Sequence, residues 1–199
     1  TSEGARLEVL AAAAADASPE EDPEEAFVGA LRLAKTRLTL EAAIADISGA
    51  LSIREVNHVL SAVADTSLEL AARRALGDPE ATGLSVVAMG KLGGQEISYG
   101  SDLDVIFVFD PARSPDPDDA VGYFTRAARK IIRYISTFHG AGPGYELDTR
   151  LRPSGNQGLL VTSVDAFARY HGQDGGGVRR AARVIEGVGS EEHTSELQS

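Results

Sequence analysis

The sequence predicts an α+β fold in which a long helical hairpin precedes a small mixed sheet with helices on one side. Over residues 22–79, apolar residues recur at spacings of three and four, which is typical of helices that bury one face. Runs rich in β-branched and aromatic residues at 84–89 and 102–109 are typical of strands. Residues 145–152 alternate between apolar or neutral and charged side chains, and this period of two predicts a third strand.

The composition narrows the classes of protein to consider. The chain of 199 residues is long enough for one domain with a helical appendage, and its hydrophobic content of 43% is ordinary for a globular protein. The absence of Cys excludes disulfides and thiolate metal sites and agrees with a cytoplasmic location. No run is long and apolar enough to span a membrane. A net charge of -11 argues against a non-specific nucleic-acid surface.

The predicted hairpin follows residues 1–21, which are Ala-rich and then acidic. Asp22 can cap the first helix, and Pro23 suits its first position. The spacing of Ser52 and Glu55 is that of a capping box, which predicts the start of the second helix. The first helix carries three basic residues that can either reach a phosphate or form a solvated face, and the solvated face is the prediction we prefer; they are Arg32, Lys35 and Arg37.

The segment between the first two strands is rich in glycine. Residues 90–94 predict a tight turn, whose backbone N–H groups can approach a phosphate. Their spacing is neither that of a Walker A loop nor that of the dinucleotide-binding fingerprint. The turn alone is therefore a weak indication of function.

Two aspartates open the second predicted strand. Asp102 and Asp104 are two residues apart, so their side chains share one face, with carboxylates about 4 to 7 Å apart. Like charges repel by roughly 4 kcal/mol at 4 Å and an effective dielectric of 20. A fold keeps such a pair when a cation compensates for the repulsion, and a divalent metal is the first candidate.

The third predicted strand has one fully charged face. Glu146, Asp148, Arg150 and Arg152 share that face, and a helix is predicted before them over residues 118–139. Asp148 is the natural third carboxylate of a metal site. The two arginines can balance the acids or bind a phosphate through paired N–H groups.

Two motifs together resemble those of one enzyme family. The segments GKLGGQEISYGSDLDVIFVFD and YELDTRLRPSGNQGLLVTSVDAFARYH are similar to motifs of the bacterial glutamine synthetase adenylyltransferases. The resemblance covers residues 24–171 and implies a DNA polymerase β-like nucleotidyltransferase core over residues 80–171. The family pattern has a glycine turn, a pair of aspartates and a further aspartate. Its counterparts here are Gly90, Asp102, Asp104 and Asp148.

The resemblance implies nucleotidyl transfer with two Mg²⁺ ions and ATP as a substrate. Asp102, Asp104 and Asp148 would be the catalytic residues and the metal ligands. The residues that would bind the nucleotide are Gly90, Lys91, Ser101, Arg150 and Arg152. The Gly-Ser pair that is usual in the wider superfamily is Gly90-Lys91 in this chain, as it is in this family.

The enzymes of this family carry two such domains. One domain removes AMP from a tyrosine of glutamine synthetase by phosphorolysis, and the other attaches AMP from ATP. The sequence motifs KLGG and LRPSG are more similar to those of the adenylylating domain. The resemblance further implies glutamine synthetase as the protein substrate and the PII signal protein as a regulator of the full-length enzyme. Nucleic acid and membrane are not expected as partners.

The C-terminal segment departs from the family pattern. After residue 171 the family continues with a Trp-containing helix, whereas this chain has GQDGGGVRRAARVIEGVG and no Trp. The last ten residues, SEEHTSELQS, resemble the translation of a widely used sequencing adapter. We therefore expect an aberrant, poorly packed tail over residues 172–199 in a fragment of a longer protein.

Two other functions stay open from the sequence. The chain can be a non-catalytic nucleotide-binding fragment whose missing part abolishes activity. It can also be a metal-dependent glycosyltransferase that binds a sugar nucleotide through Asp102 and Asp104, although this leaves the charged face around Asp148 without a role.

Overall fold

The computed structural model describes residues 22–77, 83–151, 158–173 and 183–184, together with residues 1, 3–5, 7, 9 and 11. Predictions for Arg152 and for most of the tail lie outside these residues. The described elements, in chain order, are α1 (Pro23–Ile47), α2 (Ile53–Leu76), β1 (Leu84–Ala88), α3 (Gly90–Gly93), β2 (Leu103–Phe109), a 3₁₀ turn (Pro111–Arg113), α4 (Ala120–Ser136), β3 (Leu147–Asp148), β4 (Val161–Ser163), α5 (Val164–Gln173) and β5 (Arg183–Val184).

The hairpin helices begin and end where their capping residues require. Asp22 accepts hydrogen bonds from the backbone N–H groups of Glu24 and Glu25, at 2.8 and 3.1 Å. Ser52 and Glu55 form the reciprocal bonds of a capping box, and α2 ends at Gly77 with φ of 77°. Both predicted helix starts are confirmed.

No helix among the described residues has the length and apolar character that crossing a membrane requires.

The sheet is mixed and is centred on β2. Strand β1 pairs with β2 in the antiparallel sense, and β5 pairs with β1 in the same sense. On its other edge, β2 pairs in the parallel sense with β3 near its start and with β4 near its end. Within the described residues this gives five strands, so the predicted α+β class with a small mixed sheet is confirmed.

Beyond Asp104, strand β2 is buried on both faces. One face, which carries Phe107, joins the large hydrophobic cluster that includes residues of α1, α2 and α4. The other face carries Ile106 and Val108, which pack with Phe167 of α5. Helices therefore cover both sides of the sheet, and the prediction of helices on one side was wrong.

Several predicted boundaries differ from the structure. The strand predicted over 145–152 is only Leu147–Asp148, because the Asp148 carboxylate accepts the backbone N–H of Arg150 and turns the chain. Residues predicted as a glycine turn form the single helical turn α3. Arg183–Val184 pair with β1, although poor packing was predicted for that part of the tail.

Arg32 is buried rather than solvated, and this corrects the sequence prediction. Its side chain is 1% exposed. Its guanidinium donates to the carbonyl oxygens of Tyr134, at 2.7 Å, and of Thr137, at 2.8 and 3.0 Å. These carbonyls lie at the C-terminal end of α4, where a cation is favoured by the helix dipole. Arg32 therefore fastens the hairpin to α4.

We predict that Arg32→Ala destabilises the fold by about 3 kcal/mol, because it leaves the buried Tyr134 carbonyl and the partly buried Thr137 carbonyl without this donor. The matched control is Arg37→Ala on the same helix, whose exposed pair with Glu41 contributes less than about 1 kcal/mol. Urea unfolding of both variants measures the difference. Equal losses would show that Arg32 does not anchor the hairpin.

Candidate metal and nucleotide site

Three carboxylates meet at one edge of the sheet. Asp104 on β2 lies directly opposite Asp148 on β3 in the parallel register, and Asp102 precedes β2 on the same face as Asp104. One oxygen from each of the three carboxylates lies within 4.8 Å of the others. Asp102 is exposed, whereas Asp104 and Asp148 are partly buried. The predicted convergence is thus present, and the catalytic role of the residues stays a prediction.

Arg150 supplies positive charge to this cluster. Its Nε donates to both carboxylate oxygens of Asp148 at 2.9 Å, and its Nη2 contacts the same group. The hydrogen bond to Asp148 and then the charge of Asp148 raise the pKa of Arg150, with smaller contributions from Asp102 and Asp104. Of the two roles that the sequence left open for Arg150, the structure shows the balancing of acids.

Gly90 leaves room for the Asp104 carboxylate. A Cβ atom on Gly90 would lie 2.4 Å from Oδ2 of Asp104, and the residue has φ of +54°. The close approach follows from pairing of the strands, because the backbone N–H of Met89 donates to the Asp104 carbonyl at 2.8 Å. The sequence predicted a phosphate-binding turn here but gave no sign of this packing against Asp104.

The other predicted nucleotide ligands have different surroundings. Ser101 closes a turn with Ser98, whose backbone N–H donates to the Ser101 hydroxyl oxygen at 3.1 Å. This turn leads directly into Asp102. Lys91 is exposed on α3, one residue after Gly90. Arg152 lies outside the described residues.

The donor set of the cluster fits a hard divalent cation. All three groups are carboxylates, and Mg²⁺ prefers oxygen ligands of this kind. With one oxygen from each residue within 4.8 Å of the others, the three residues form a group that could hold a metal ion. No Cys is present in the chain, so the softer sites that thiolates make do not compete with this assignment.

Two residues join α1 to the segments that precede the cluster, and the sequence predicted a solvated face for one of them, Lys35, which is partly buried. Lys35 on α1 donates to the carbonyl oxygens of Pro143 and Gly144, at 3.2 and 2.8 Å, and lies over the Tyr145 ring. Tyr99 donates through its hydroxyl to Asp46 at 3.2 Å. Both bonds tie α1 to the segments that lead into β2 and β3. They join residues far apart in sequence, so no local pattern indicates them.

We predict that Gly90→Ala weakens divalent-metal binding, because the new Cβ atom displaces the Asp104 carboxylate. The control is Gly49→Ala, which has a similar φ of +71° but meets no atom within 4 Å. Both variants should lose roughly 1–2 kcal/mol of stability through the left-handed backbone. Calorimetric titration with Mg²⁺ and Mn²⁺ should show lost affinity only for Gly90→Ala. Unchanged affinity in that variant would contradict the assignment.

Comparison with known proteins gives the family. The profile of the family described as glutamate-ammonia ligase adenylyltransferase matches residues 2–185. Bifunctional glutamine synthetase adenylyltransferase/adenylyl-removing enzymes of Idiomarina loihiensis and Thioalkalivibrio sulfidiphilus are 41% and 40% identical over 169 and 173 residues. In each case the alignment covers 76% of this chain and 18% of the relative, so the chain spans under a fifth of the length of these relatives. The profile match covers most of the chain, which therefore belongs to the glutamate-ammonia ligase adenylyltransferase family.

Proposed function

We propose that the chain is the catalytic core of an enzyme that transfers AMP from ATP to a tyrosine of glutamine synthetase and so regulates nitrogen assimilation. The convergence of Asp102, Asp104 and Asp148 within 4.8 Å carries this proposal. Family membership supports it, because the names of the relatives specify adenylyl transfer and glutamine synthetase. The same membership favours transfer of AMP over the glycosyl transfer that the sequence left open.

Each of the three aspartates has a proposed role in this reaction. Asp102 and Asp104 would hold the metal shared with the phosphates, and Asp148 would complete the site that faces the acceptor hydroxyl. Bound Mg²⁺ would supply positive charge for the attacking and leaving oxygens. The tyrosine oxygen bonds to the α-phosphorus, the bond from that phosphorus to the bridging oxygen breaks, and pyrophosphate and the phenolic proton leave.

Gly90 and Arg150 affect the space and the charge around the carboxylate cluster. The absence of a side chain at Gly90 leaves room for the Asp104 carboxylate. Arg150 is 69% exposed and binds Asp148, which is 14% exposed. In the proposed cycle it neutralises part of the acidic charge, and its exposed guanidinium is also placed to contact a phosphate. Lys91 and Ser101 are proposed as further contacts of the nucleotide.

The proposal also covers the direction of the reaction, its regulation and its cellular location. The sequence motifs KLGG and LRPSG favour attachment of AMP over its removal by phosphorolysis. The relatives are much longer than this chain, so regulation by the PII signal protein concerns the longer enzyme. The reaction needs ATP, and on that ground we place the chain in the cytoplasm.

We predict that Asp104→Asn abolishes stabilisation by Mg²⁺-ATP without destabilising the metal-free protein. At a hundredfold excess over Kd, a ligand stabilises by about 2.7 kcal/mol, which for a chain of this size raises Tm by about 5–10 °C. The wild type and the control Asp118→Asn, an exposed loop residue, should show this rise. Without ligand, Asp104→Asn should melt at the same temperature or higher, because one repulsion is relieved.

The opposite pattern would contradict the metal site. If Asp104 had a purely structural role, its substitution would destabilise the metal-free fold by roughly 1 to 3 kcal/mol and leave the ligand effect intact. Transfer of label from α-labelled ATP to glutamine synthetase tests catalysis itself. Binding of Mg²⁺-ATP without transfer would identify the chain as a non-catalytic nucleotide-binding fragment.

A further inference from the structure

Residues 143–146, here called the β3 linker, immediately precede β3 and lead to the Asp148 carboxylate. The last residue of the linker, Glu146, accepts the backbone N–H of Leu103 through its carbonyl at 2.8 Å. Two residues later Asp148 lies in register with Asp104 of β2. Because β3 is only two residues long, its own pairing is a short restraint, and the position of the linker also determines where Asp148 lies.

One side of the β3 linker is held by the C-terminal end of α4. The backbone N–H of Tyr145 donates to the Ile135 carbonyl at 2.9 Å. Gly144 approaches the same turn so closely that a Cβ atom on it would lie 2.5 Å from the Ile135 carbonyl oxygen. Because this neighbour is backbone, a side chain at position 144 requires the linker to shift.

The other side of the β3 linker is held by Lys35 of α1. Its ammonium donates to the carbonyl oxygens of Pro143 and Gly144, at 3.2 and 2.8 Å. The same ammonium lies 4.4 Å from the centroid of the Tyr145 ring. One side chain thus contacts three of the four linker residues. Hydrogen bonds from a charged donor are roughly twice as strong as neutral ones, so Lys35 is a substantial restraint on the linker.

Lys35 occupies this position although burial is unfavourable for its charge. Its side chain is partly buried. This burial, and then the nearby charge of Arg32, lower the pKa of Lys35. The two linker carbonyls are the acceptors that compensate for the lost hydration of the ammonium.

We propose that Lys35 is a positioning residue of the metal site, which acts through the β3 linker on the Asp148 carboxylate. The inference rests on the proposed function, since it takes the three carboxylates as metal ligands. Lys35 fixes the linker to α1, and the backbone of Ile135 fixes it to α4. The linker held between them brings Asp148 beside Asp104. Without the ammonium the linker is free to move, and Asp148 then lies less favourably for a shared cation.

The direction of the effect separates positioning from simple electrostatics. Removal of a positive charge from the protein, taken alone, strengthens the binding of a cation because one repulsion is lost. Displacement of Asp148 weakens the binding because a ligand is withdrawn. A weaker Kd in a variant that lacks the Lys35 charge therefore reports positioning.

The test compares Lys35→Met with Arg74→Met in the 199-residue chain. Arg74 on α2 makes the same two kinds of contact within the hairpin, since it donates to the Pro23 carbonyl at 2.7 Å and lies over the Phe27 ring. Calorimetric titration with Mn²⁺ and Mg²⁺ measures the Kd, and urea unfolding measures the stability of each variant. We expect Lys35→Met to weaken metal binding at least fivefold, with Arg74→Met within twofold of the wild type. Lys35→Arg keeps a charged donor and should recover most of the affinity.

A second pair of variants moves the β3 linker from the α4 side. Gly144→Ala places a Cβ atom against the Ile135 carbonyl, whereas a Cβ atom on Gly140 would meet nothing within 4 Å. We expect Gly144→Ala to weaken metal binding and Gly140→Ala to leave it unchanged. This pair gives the answer even if Lys35→Met fails to fold, and unchanged affinity in Gly144→Ala would show that the linker does not control the site.

The remaining results are equally decisive. Unchanged or tighter metal binding in Lys35→Met, or equal losses in Lys35→Met and Arg74→Met, overturn the inference while the metal site stands. Failure of Lys35→Arg to recover affinity also overturns it, because the contacts of the charged donor are then not the cause. If the wild type binds neither ion, the metal site on which the proposed function rests fails, and the inference fails with it.

Discussion

Repulsion among three carboxylates is the constraint on which the rest of the structure depends. Asp102, Asp104 and Asp148 approach within 4.8 Å, where each pair of charges repels by a few kcal/mol at an effective dielectric of 20. Parallel pairing of β2 with β3 holds two of them side by side, and that pairing is only two residues long. Arg150 offsets part of the repulsion from a largely exposed position, where solvent weakens its effect. Hydrophobic packing of β2 against the hairpin and α4 also stabilises the arrangement.

That packing extends into the hairpin, which has a direct part in building the site. Arg32 fixes α1 to the end of α4, and Lys35 fixes it to residues 143–145, which lead into β3. The same hydrophobic cluster includes residues of both hairpin helices and of β2. A shift of α1 would therefore move Asp148 relative to Asp104. The boundary that the sequence suggests between hairpin and core, at residues 79–80, stays a prediction. The contacts of Arg32 and Lys35 cross this boundary, and they help to position the segment that carries Asp148.

The sequence predicted features that depend on local period and missed those that depend on distant contacts. The composition of residues 102–109 correctly predicted strand β2, and the alternation over residues 145–152 drew attention to Asp148, which lies close to Asp102 and Asp104 in the structure. Burial of Arg32 was missed although it directly follows Leu31 in the apolar stripe, because its carbonyl partners lie over a hundred residues away. The length of β3 was overestimated because the Asp148 carboxylate bonds to the backbone of Arg150, a side-chain bond that strand periodicity does not encode.

The surroundings of Asp104 argue that the cluster serves a ligand rather than the fold. A glycine at position 90 loses more backbone entropy on folding than alanine, a difference of roughly 0.5–1 kcal/mol within regular structure. Its absent side chain leaves the space that the Asp104 carboxylate occupies, beside two other acids. The close approach of Gly90 to Asp104 and the grouping of three acids are both explained if a cation and a phosphate complete the site. Binding of a cation would relieve the repulsion among the three carboxylates and would in this way stabilise the fold.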